Sequence, residues 1–432
     1  MTIAQMRGNL KRLVTSWSLE AARRWRVMRK YRLSSGILGA TLLRAVSRHN
    51  AATDRQPDDL PKKILVVRLD ALGDLVMTTQ VFRELKKYYP DSKLTAVVQE
   101  RTKDILEANP YVDRILCPPT PHRARLLLGF RRELSVVQLY WKFLRKEHFD
   151  VALHPRFGPD YFAANLLMKL VDAPISVKYI DDWHRGLARQ IDAHAFRSMT
   201  NLPRPPVQHE VLTNAAGIEY LTGQTSTSRP EIFLTAEDRL FAMRVVGSSK
   251  PHLNVIGVGF GAQEKRRRWP LERWAEVIRL LANKRALFIV VICSGAERAS
   301  GELLQSMLPV ESRLVSGARV REAAACIEAC DLFMGPDSGP AHVAAAVGCW
   351  PLTVSPHPLD GAVDYSSSPG LWAPYCENGR VIQPATAIPP CSEGCDAVEP
   401  HCILQILPEP VAQACEVMLR SIGQNTTRMR SM

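Results

Sequence analysis

Short apolar runs alternate with segments of helical periodicity from Lys62 onward, and this alternation constrains the possible fold more than any other feature of the chain. Regular alternation of strands and helices is typical of parallel, doubly wound sheets. The predicted strands span 63–68, 93–98, 149–154, 253–259, 286–293 and 330–335, and the predicted helices span 74–89, 102–108 and 271–283, with further helices starting at Ala296 and Gly339. The sequence therefore predicts an α/β protein with two successive Rossmann-like series.

The length of 432 residues favours at least two domains, because it is too long for one ordinary α/β domain. A Ser/Thr-rich stretch at 222–235 separates the two series of strands. We predict an extension and linker at 1–61, Rossmann-like domains at 62–235 and 236–421, and a tail at 422–432. The two domains are expected to face one another across a cleft, because open α/β sheets bind ligands beyond the carboxyl ends of their strands.

The N-terminal extension carries most of the positive charge. Residues 1–52 hold eleven Lys/Arg and a single acid, Glu20, and so account for ten of the thirteen net positive charges. Apolar residues recur at steps of three and four over 4–32, with basic residues on the other faces, which predicts a basic amphipathic helix. This helix is expected to bind an anionic membrane surface, although packing on the rest of the protein or a solvated charged face stay open. Such local charge argues against nucleic acid as a partner.

Targeting features favour a cytoplasmic protein, peripheral on the inner face of the cell membrane. No window approaches the roughly 18 to 20 apolar residues that span a bilayer, and the apolar stretch 37–43 is too short for a signal peptide. Ten cysteines fall below the density of a secreted disulfide framework, which indicates a reducing compartment. Cys293, Cys326, Cys330 and Cys349 lie in or beside apolar runs and are predicted to be buried thiols.

Three further cysteines, Cys391, Cys395 and Cys402, lie close together with His401 beside them. Zinc sites usually contain tighter C-x2-C pairs and four ligands. The sequence therefore favours a folded loop with free thiols over a metal site, and it predicts neither a metal ligand nor a cofactor.

The segment RLDALGD, residues 68–74, runs from the first predicted strand into a helix. Gly73 permits close backbone approach, and Asp74 presents a carboxylate at the carboxyl end of the sheet. A carboxylate in this position could act as a general base, or it could only cap the helix. The turn contains no G-x-G-x-x-G dinucleotide fingerprint.

The segment GPDSGPAHVAAAVG directly follows the strand predicted at the end of the second series. Asp337 and Ser338 are good capping residues, and Gly339 and Pro340 suit the first turn of a helix. Free N–H groups and the positive end of the helix dipole could hold a diphosphate, with His342 one turn further in. The alternative is a capped core helix with a satisfied histidine.

The loop GFGAQEKRRRWP, residues 259–270, ends in four consecutive cations before a Trp-Pro pair. These cations could place positive charge against a leaving nucleoside diphosphate, or they could form an exposed, solvated cluster. The pair Trp269-Pro270 predicts the start of the following helix.

The three segments, in this order and at these separations, resemble glycosyltransferase family nine, the ADP-heptose:lipopolysaccharide heptosyltransferases. The resemblance covers residues 62–421, and its most specific element is the D-S-G-x-x-H-x-A-A-A-x-G run at 337–348. Further similarity lies in YVDRIL (111–116), in CIEACDLFMGPDSG, and in a terminal C-x3-C-x6-C followed by ILPEPV.

This resemblance implies a GT-B fold and an inverting transfer without a metal, with the nucleotide sugar bound mostly by the second domain. The family's general base falls on Asp74, its donor-binding residues on Asp337, Gly339 and His342, and its ribose-binding acid on Glu297. We therefore predict Asp74 as the catalytic base and a donor site formed by Arg267, Glu297, Asp337, Ser338, Gly339, Pro340 and His342.

The chain also departs from the family's pattern. Arg267 stands where the family usually has Lys, and the two residues are not interchangeable at a phosphate. The stretch VSPHPLDG (354–361) replaces a Phe-Gly-Pro stretch expected near the donor sugar, and the basic extension lies outside the family's core. The sequence contains no D-x-D pair, the arrangement by which another glycosyltransferase fold holds a divalent ion. It also lacks the signatures of P-loop NTPases, HExxH proteases and GxSxG hydrolases.

The favoured function is transfer of a sugar, a heptose by the resemblance, from a donor such as ADP-heptose to an anionic, lipopolysaccharide-type glycolipid. Basic residues in the first half could meet acidic groups of this acceptor, although a solvated loop and helix face explain them almost as well. They are His122, Arg123, Arg125, Arg131 and Arg132. Three alternatives stay open: a transferase for another nucleotide sugar, a catalytically idle GT-B protein that binds glycolipid, and a nucleotide-sugar epimerase.

Overall fold

A computed structural model describes residues 60–119, 131–157, 160, 162–179, 199–203, 207–247 and 253–430. The predicted basic helix at 4–32 and the residues His122, Arg123 and Arg125 lie outside these described residues. Within them, none of the helices combines the length and the apolar character needed to cross a membrane.

Twelve strands are present in the described part of the chain. They are β1 Lys63–Arg68, β2 Lys93–Val98, β3 Arg114–Leu116, β4 Val151–His154, β5 Ile175–Tyr179, β6 Thr200–Leu202, β7 Asn254–Gly259, β8 Leu287–Cys293, β9 Ser312–Ser316, β10 Leu332–Pro336, β11 Trp350–Val354 and β12 Arg380–Ile382. Two six-stranded sheets result, with the orders β3-β2-β1-β4-β5-β6 and β12-β11-β10-β7-β8-β9. Read from β9, the second order repeats the first, and both are the doubly wound Rossmann order. The predicted fold class is confirmed.

Twelve α-helices accompany these strands in the described ranges. They are α1 Leu72–Tyr88, α2 Asp104–Glu107, α3 Arg131–Leu139, α4 Ala164–Val171, α5 Glu210–Thr222, α6 Ala236–Val246, α7 Leu271–Ala282, α8 Arg298–Ser306, α9 Val320–Glu328, α10 Gly339–Ala346, α11 Pro369–Trp372 and α12 Pro408–Arg430. A π-helical turn at Tyr140–Leu144 continues α3, and short 3-10 turns occupy Lys265–Arg267, Gly295–Glu297 and Cys402–Gln405.

Neighbouring strands pair in parallel in both sheets, and an aspartate just before one strand bonds to the start of its neighbour. In the first sheet β1 pairs with β4 in the register Ile64 with Val151, and the Asp150 carboxylate accepts the N–H of Lys63 at 2.9 Å. In the second sheet β7 pairs with β8 and β10, and the Asp331 carboxylate accepts the N–H of Val255 at 2.9 Å.

Among the described residues, contacts group those within 60–69 and 116–203 in one compact unit, and those within 70–115 and 207–430 in a second. The second unit contains α1, which packs on α5. Asn214 donates to the carbonyl of Met77 at 3.1 Å, and Gln80 donates to the carbonyl of Val211 at 2.6 Å. These buried hydrogen bonds fix the position of α1, whose first turn carries Asp74.

The core of the second unit contains two neighbouring tryptophans on either side of the start of α7. The rings of Trp269 and Trp274 are both buried and meet edge to face, with centroids 4.8 Å apart. The indole N–H of Trp269 donates to the carbonyl of Ile406 at 3.1 Å, whereas that of Trp274 has no partner among the described residues.

This difference predicts unequal effects of the same substitution. Trp269→Phe is expected to lower the free energy of unfolding by about 0.5–1.5 kcal/mol more than Trp274→Phe, because only the first variant loses a hydrogen bond. Urea denaturation of both variants measures the difference. Equal losses would show that the bond to Ile406 contributes nothing to stability.

Candidate active site

The first turns of α1 and α10 lie against each other, and a glycine in each turn makes this approach possible. A Cβ atom built on Gly73 would lie 2.7 Å from Cδ2 of His342, and one built on Gly339 would lie 2.9 Å from Cβ of Leu72. Both separations are shorter than side chains tolerate, so larger residues would force the two helices apart. The predicted close approach at Gly73 is confirmed.

Asp74 is the third residue of α1. Its Oδ2 accepts the N–H of Ala71 at 3.0 Å, and Ala71 is the N-cap residue of the helix. The predicted start of the helix at Asp74 is therefore wrong by two residues, because the chain already turns into the helix at Leu72. The half-buried carboxylate acts electrostatically on Arg267 and His342, which places the three charged or titratable groups in one site.

Arg267 links the loop after β7 to the start of α10. Its Nη1 donates to Oδ2 of Asp337 at 3.0 Å and to the carbonyl of the same residue at 3.2 Å, while Nε donates to Glu264 at 3.0 Å. The carboxylate of Asp337 is the main cause of the raised pKa of Arg267; burial opposes it, and Glu264 and Asp74 reinforce it. Nη2 makes no hydrogen bond in the part of the chain that the structure describes, so it is available to a ligand.

The start of α10 exposes backbone donors. Ser338 is the N-cap, but its side chain makes no capping hydrogen bond, and the Asp337 carboxylate is engaged by Arg267. Ser338 therefore occupies a capping position as predicted, but its side chain does not bond to the helix, and Asp337 is not the cap residue. Pro340 has no N–H, and the N–H of Ala341 donates to the carbonyl of Ser338 at 3.1 Å. The N–H groups of Ser338 and Gly339 donate to no acceptor among the described residues, so they can bind an anion.

His342 lies one turn further into α10. Its side chain is buried, and Nδ1 has no hydrogen-bond partner within the described ranges. Burial lowers the pKa of His342, although Asp337 and Asp74 act in the opposite direction. The imidazole is therefore neutral near pH 7, and its unpaired nitrogen fits a hydroxyl or phosphate of a bound ligand, because buried polar atoms normally have partners.

Glu297 follows the end of β8. Its carboxylate accepts the N–H and the hydroxyl of Ser294 at 3.2 and 2.7 Å. A side chain at Gly261, in the loop after β7, would clash with this carboxylate. Glu297 thus lies at the same edge of the sheet as the loop that carries Arg267.

Of the four consecutive cations in that loop, Arg267 alone bonds to the segment that starts α10. The other three bond within their own loop or to the loop before α12, so they do not form one free positive patch. Their partners are Glu399 for Lys265, Glu264 and the carbonyl of Cys395 for Arg266, and the carbonyl of Ala262 for Arg268.

Two histidines near this site were not predicted. His357 is buried in the loop after β11, and its Nδ1 has no partner among the described residues. Burial lowers the pKa of His357, and the charge of Asp337 opposes that shift. His209 caps α5; burial lowers its pKa to about 4, and His342 acts in the same direction. The stretch 354–361, which departs from the family's pattern, includes His357. No residue spacing in the sequence indicated that either histidine would lie near this site.

Comparison with known proteins assigns the chain to a family. Residues 138–354 match the model of Glycosyltransferase family 9 (heptosyltransferase). Lipopolysaccharide core heptosyltransferase OpsX of Haemophilus influenzae is 23% identical over 328 residues, covering 75% of this chain and 85% of that protein. The segment 138–354 contains the residues predicted to bind the donor, whereas Asp74 precedes it.

Two solved structures share the fold. A glycosyl transferase family 9 protein from Veillonella parvula aligns with a TM-score of 0.64 and 20% identity, over 83% of this chain and 97% of that one. The ADP-heptose lps heptosyltransferase II of E. coli aligns with a TM-score of 0.61 and 19% identity, over 83% of this chain and 99% of that one.

Two doubly wound sheets of this kind form the GT-B fold, and the family match identifies the chain as a glycosyltransferase. More narrowly, the chain belongs to glycosyltransferase family 9.

The contact between the two helix starts is tested with matched glycine variants. Gly73→Ala is expected to destabilise the protein by about 1–3 kcal/mol, because the added methyl group meets the buried ring of His342. Gly423→Ala in the exposed part of α12, where nothing lies within 4 Å, is expected to stabilise by about 0.5–1 kcal/mol. Chemical denaturation gives both values. A neutral Gly73→Ala would contradict the close packing.

Proposed function

We propose that the chain transfers a sugar, in the first place a heptose from ADP-heptose, to a lipopolysaccharide-type glycolipid. The observation that carries this proposal is the meeting of the Asp74 carboxylate with Arg267, Asp337 and His342 where α1 and α10 begin. The names of the relatives, a lipopolysaccharide core heptosyltransferase and an ADP-heptose lps heptosyltransferase, support this donor and this acceptor class.

The start of α10 holds the donor in this proposal. The N–H groups of Ser338 and Gly339 donate to the diphosphate, with Nη2 of Arg267 as a further donor. The unpaired Nδ1 of His342 takes a hydrogen bond with the sugar or a phosphate. Glu297, at the edge of the same sheet, accepts the ribose hydroxyls, and the glycine at position 261 leaves room for its carboxylate.

Asp74 acts as the general base. It takes the proton of the acceptor hydroxyl as that oxygen attacks the anomeric carbon, while the bond from that carbon to the diphosphate oxygen breaks. The nucleoside diphosphate leaves from the opposite face, so the anomeric configuration is inverted. Backbone N–H groups and the helix dipole stabilise the charge on the leaving group without a metal ion at the diphosphate.

Acceptor binding and membrane attachment are separate parts of the proposal. The basic extension attracts the protein to the anionic inner face of the cell membrane, where a glycolipid acceptor is available. Arg131 and Arg132 begin α3, and the Arg132 guanidinium lies 4.6 Å from the centroid of the Phe162 ring. That contact holds one of the proposed acceptor cations in place.

A donor panel tests the function. The protein is incubated with ADP-heptose, other ADP-sugars, UDP-sugars and GDP-sugars, each with and without truncated inner-core lipopolysaccharide, and nucleoside diphosphate release is measured. Release that needs both ADP-heptose and the glycolipid, and no added divalent cation, is the expected result. A change of the sugar without acceptor would indicate an epimerase, and no turnover of any donor would indicate a binding protein.

Asp74→Asn separates the base from its structural role. Asn keeps an oxygen for the Ala71 N–H, so a cost of only about 0.3–1 kcal/mol is expected from the lost charge at the helix start. Donor affinity is expected to stay near the parental value, and kcat to fall by about 10²–10⁴.

Glu322→Gln is the matched control for this variant. Glu322 is also the third residue of a helix, α9, and its carboxylate accepts the N–H of Arg319 at 2.8 Å. The control is expected to retain the parental kcat. Parental turnover by Asp74→Asn as well would show that Asp74 is only part of the helix start.

Membrane attachment is tested by removing residues 1–52. The truncated protein is expected to bind anionic vesicles more weakly in a sedimentation assay, because ten of the thirteen net positive charges are lost. Neutral vesicles are the control. Equal binding of both proteins to anionic vesicles would refute the proposed attachment.

A further inference from the structure

The loop between β12 and α12 brings together four side chains that bind transition metals in many proteins. They are the thiols of Cys391, Cys395 and Cys402 and the imidazole of His401. The three thiols are buried and the imidazole is half-buried. None of the four takes part in the sugar transfer proposed above.

Their ligand atoms lie close enough together to surround one ion. All four atoms lie within 4.8 Å of one another. Nδ1 of His401 lies 3.6 Å from Sγ of Cys391 and 3.4 Å from Sγ of Cys402. Zinc–sulfur and zinc–nitrogen bonds of about 2.3 and 2.0–2.1 Å, at tetrahedral angles, place such atoms about 3.6 Å apart.

We propose that Cys391, Cys395, His401 and Cys402 bind one zinc ion. Three thiolates and one imidazole are soft and borderline ligands that favour zinc, and a set of four protein ligands leaves no open position for a substrate. The ion is therefore structural. The sequence favoured free thiols because the cysteine spacing lacks a C-x2-C pair. In the folded loop, however, His401 lies close to the three thiols and supplies the fourth ligand.

A structural zinc here would stabilise the loop that carries Arg267. The carbonyl of Cys395 accepts a hydrogen bond from Arg266, and Nζ of Lys265 lies 2.7 Å from Glu399, inside the proposed zinc loop. Both basic residues directly precede Arg267. The ion thus fixes, through two polar contacts, the chain segment that supplies a side chain to the start of α10.

Elemental analysis of the full-length protein, purified under reducing conditions without chelators, tests the proposal. About one zinc per chain is expected. Cys395→Ser and Cys402→Ser are expected to lower the zinc content more than about tenfold. Cys376→Ser is the matched control, because Cys376 is a half-buried free thiol outside the cluster. Zinc absent from the parental protein, or unchanged in the ligand variants, would overturn the assignment.

Two further measurements keep the test decisive if the serine variants fail to fold. His401→Gln alters the least buried ligand and is expected to lower the zinc content of folded protein by the same criterion. Cobalt added to the metal-depleted parental protein is expected to give the visible absorption of a tetrahedral, thiolate-bound ion. Iron in place of zinc would overturn the choice of metal, and a disulfide found by intact mass would overturn the site. Neither result depends on the transferase activity.

Discussion

The close contact between two helix starts is the constraint on which the rest of the site depends. Gly73 and Gly339 have no side chain at the point of contact, so the first turn of α1 can pack against the first turn of α10. Asp74 comes from one helix, and the free N–H groups and His342 come from the other. A carboxylate that can accept a proton and a backbone that can bind an anion therefore lie in one site.

The charges in this site do not add up to a net positive charge. Arg267 shares its charge with Asp337 and Glu264, and the other three cations of its loop bond to groups outside the start of α10. In the proposed function, the favourable free energy of diphosphate binding therefore comes from directed donors, the N–H groups of α10 and Nη2 of Arg267, and not from net charge. Donors that are fixed before the reaction need no reorganisation when the leaving group forms. The proposed zinc loop would hold one of these donors in place.

The strand and helix alternation, and with it the fold class, could be read from the sequence because buried parallel strands are apolar runs. The strand β1 and the glycine approach at Gly73 agree with expectation. The strand β9 was not predicted, because its side chains are mostly half-buried or exposed and no apolar run marks it. An apolar run also does not guarantee that a cysteine in it is buried. Cys293 was expected to be buried but is half-buried, whereas Cys326 is buried as expected.

Several contacts in the site depend on the folded geometry and could not be predicted from the sequence. The helix α1 begins two residues earlier than the polar pattern indicates. Asp74 is therefore not the cap residue, and its side chain accepts a hydrogen bond from the cap residue, Ala71. The Asp337 side chain bonds to Arg267, a residue seventy positions away, and such long-range competition for a capping side chain has no local signal. The positions of His357 and of the proposed zinc ligands around His401 likewise depend on how loops fold together, which residue spacing does not reveal.

A structure of the protein with a non-reacting analogue of the donor bound is the most direct test of this account. The account predicts phosphate oxygens within about 3 Å of the N–H groups of Ser338 and Gly339, with the anomeric carbon on the side of Asp74. A diphosphate bound away from the start of α10, or an anomeric carbon out of reach of any acceptor held by Asp74, would contradict it.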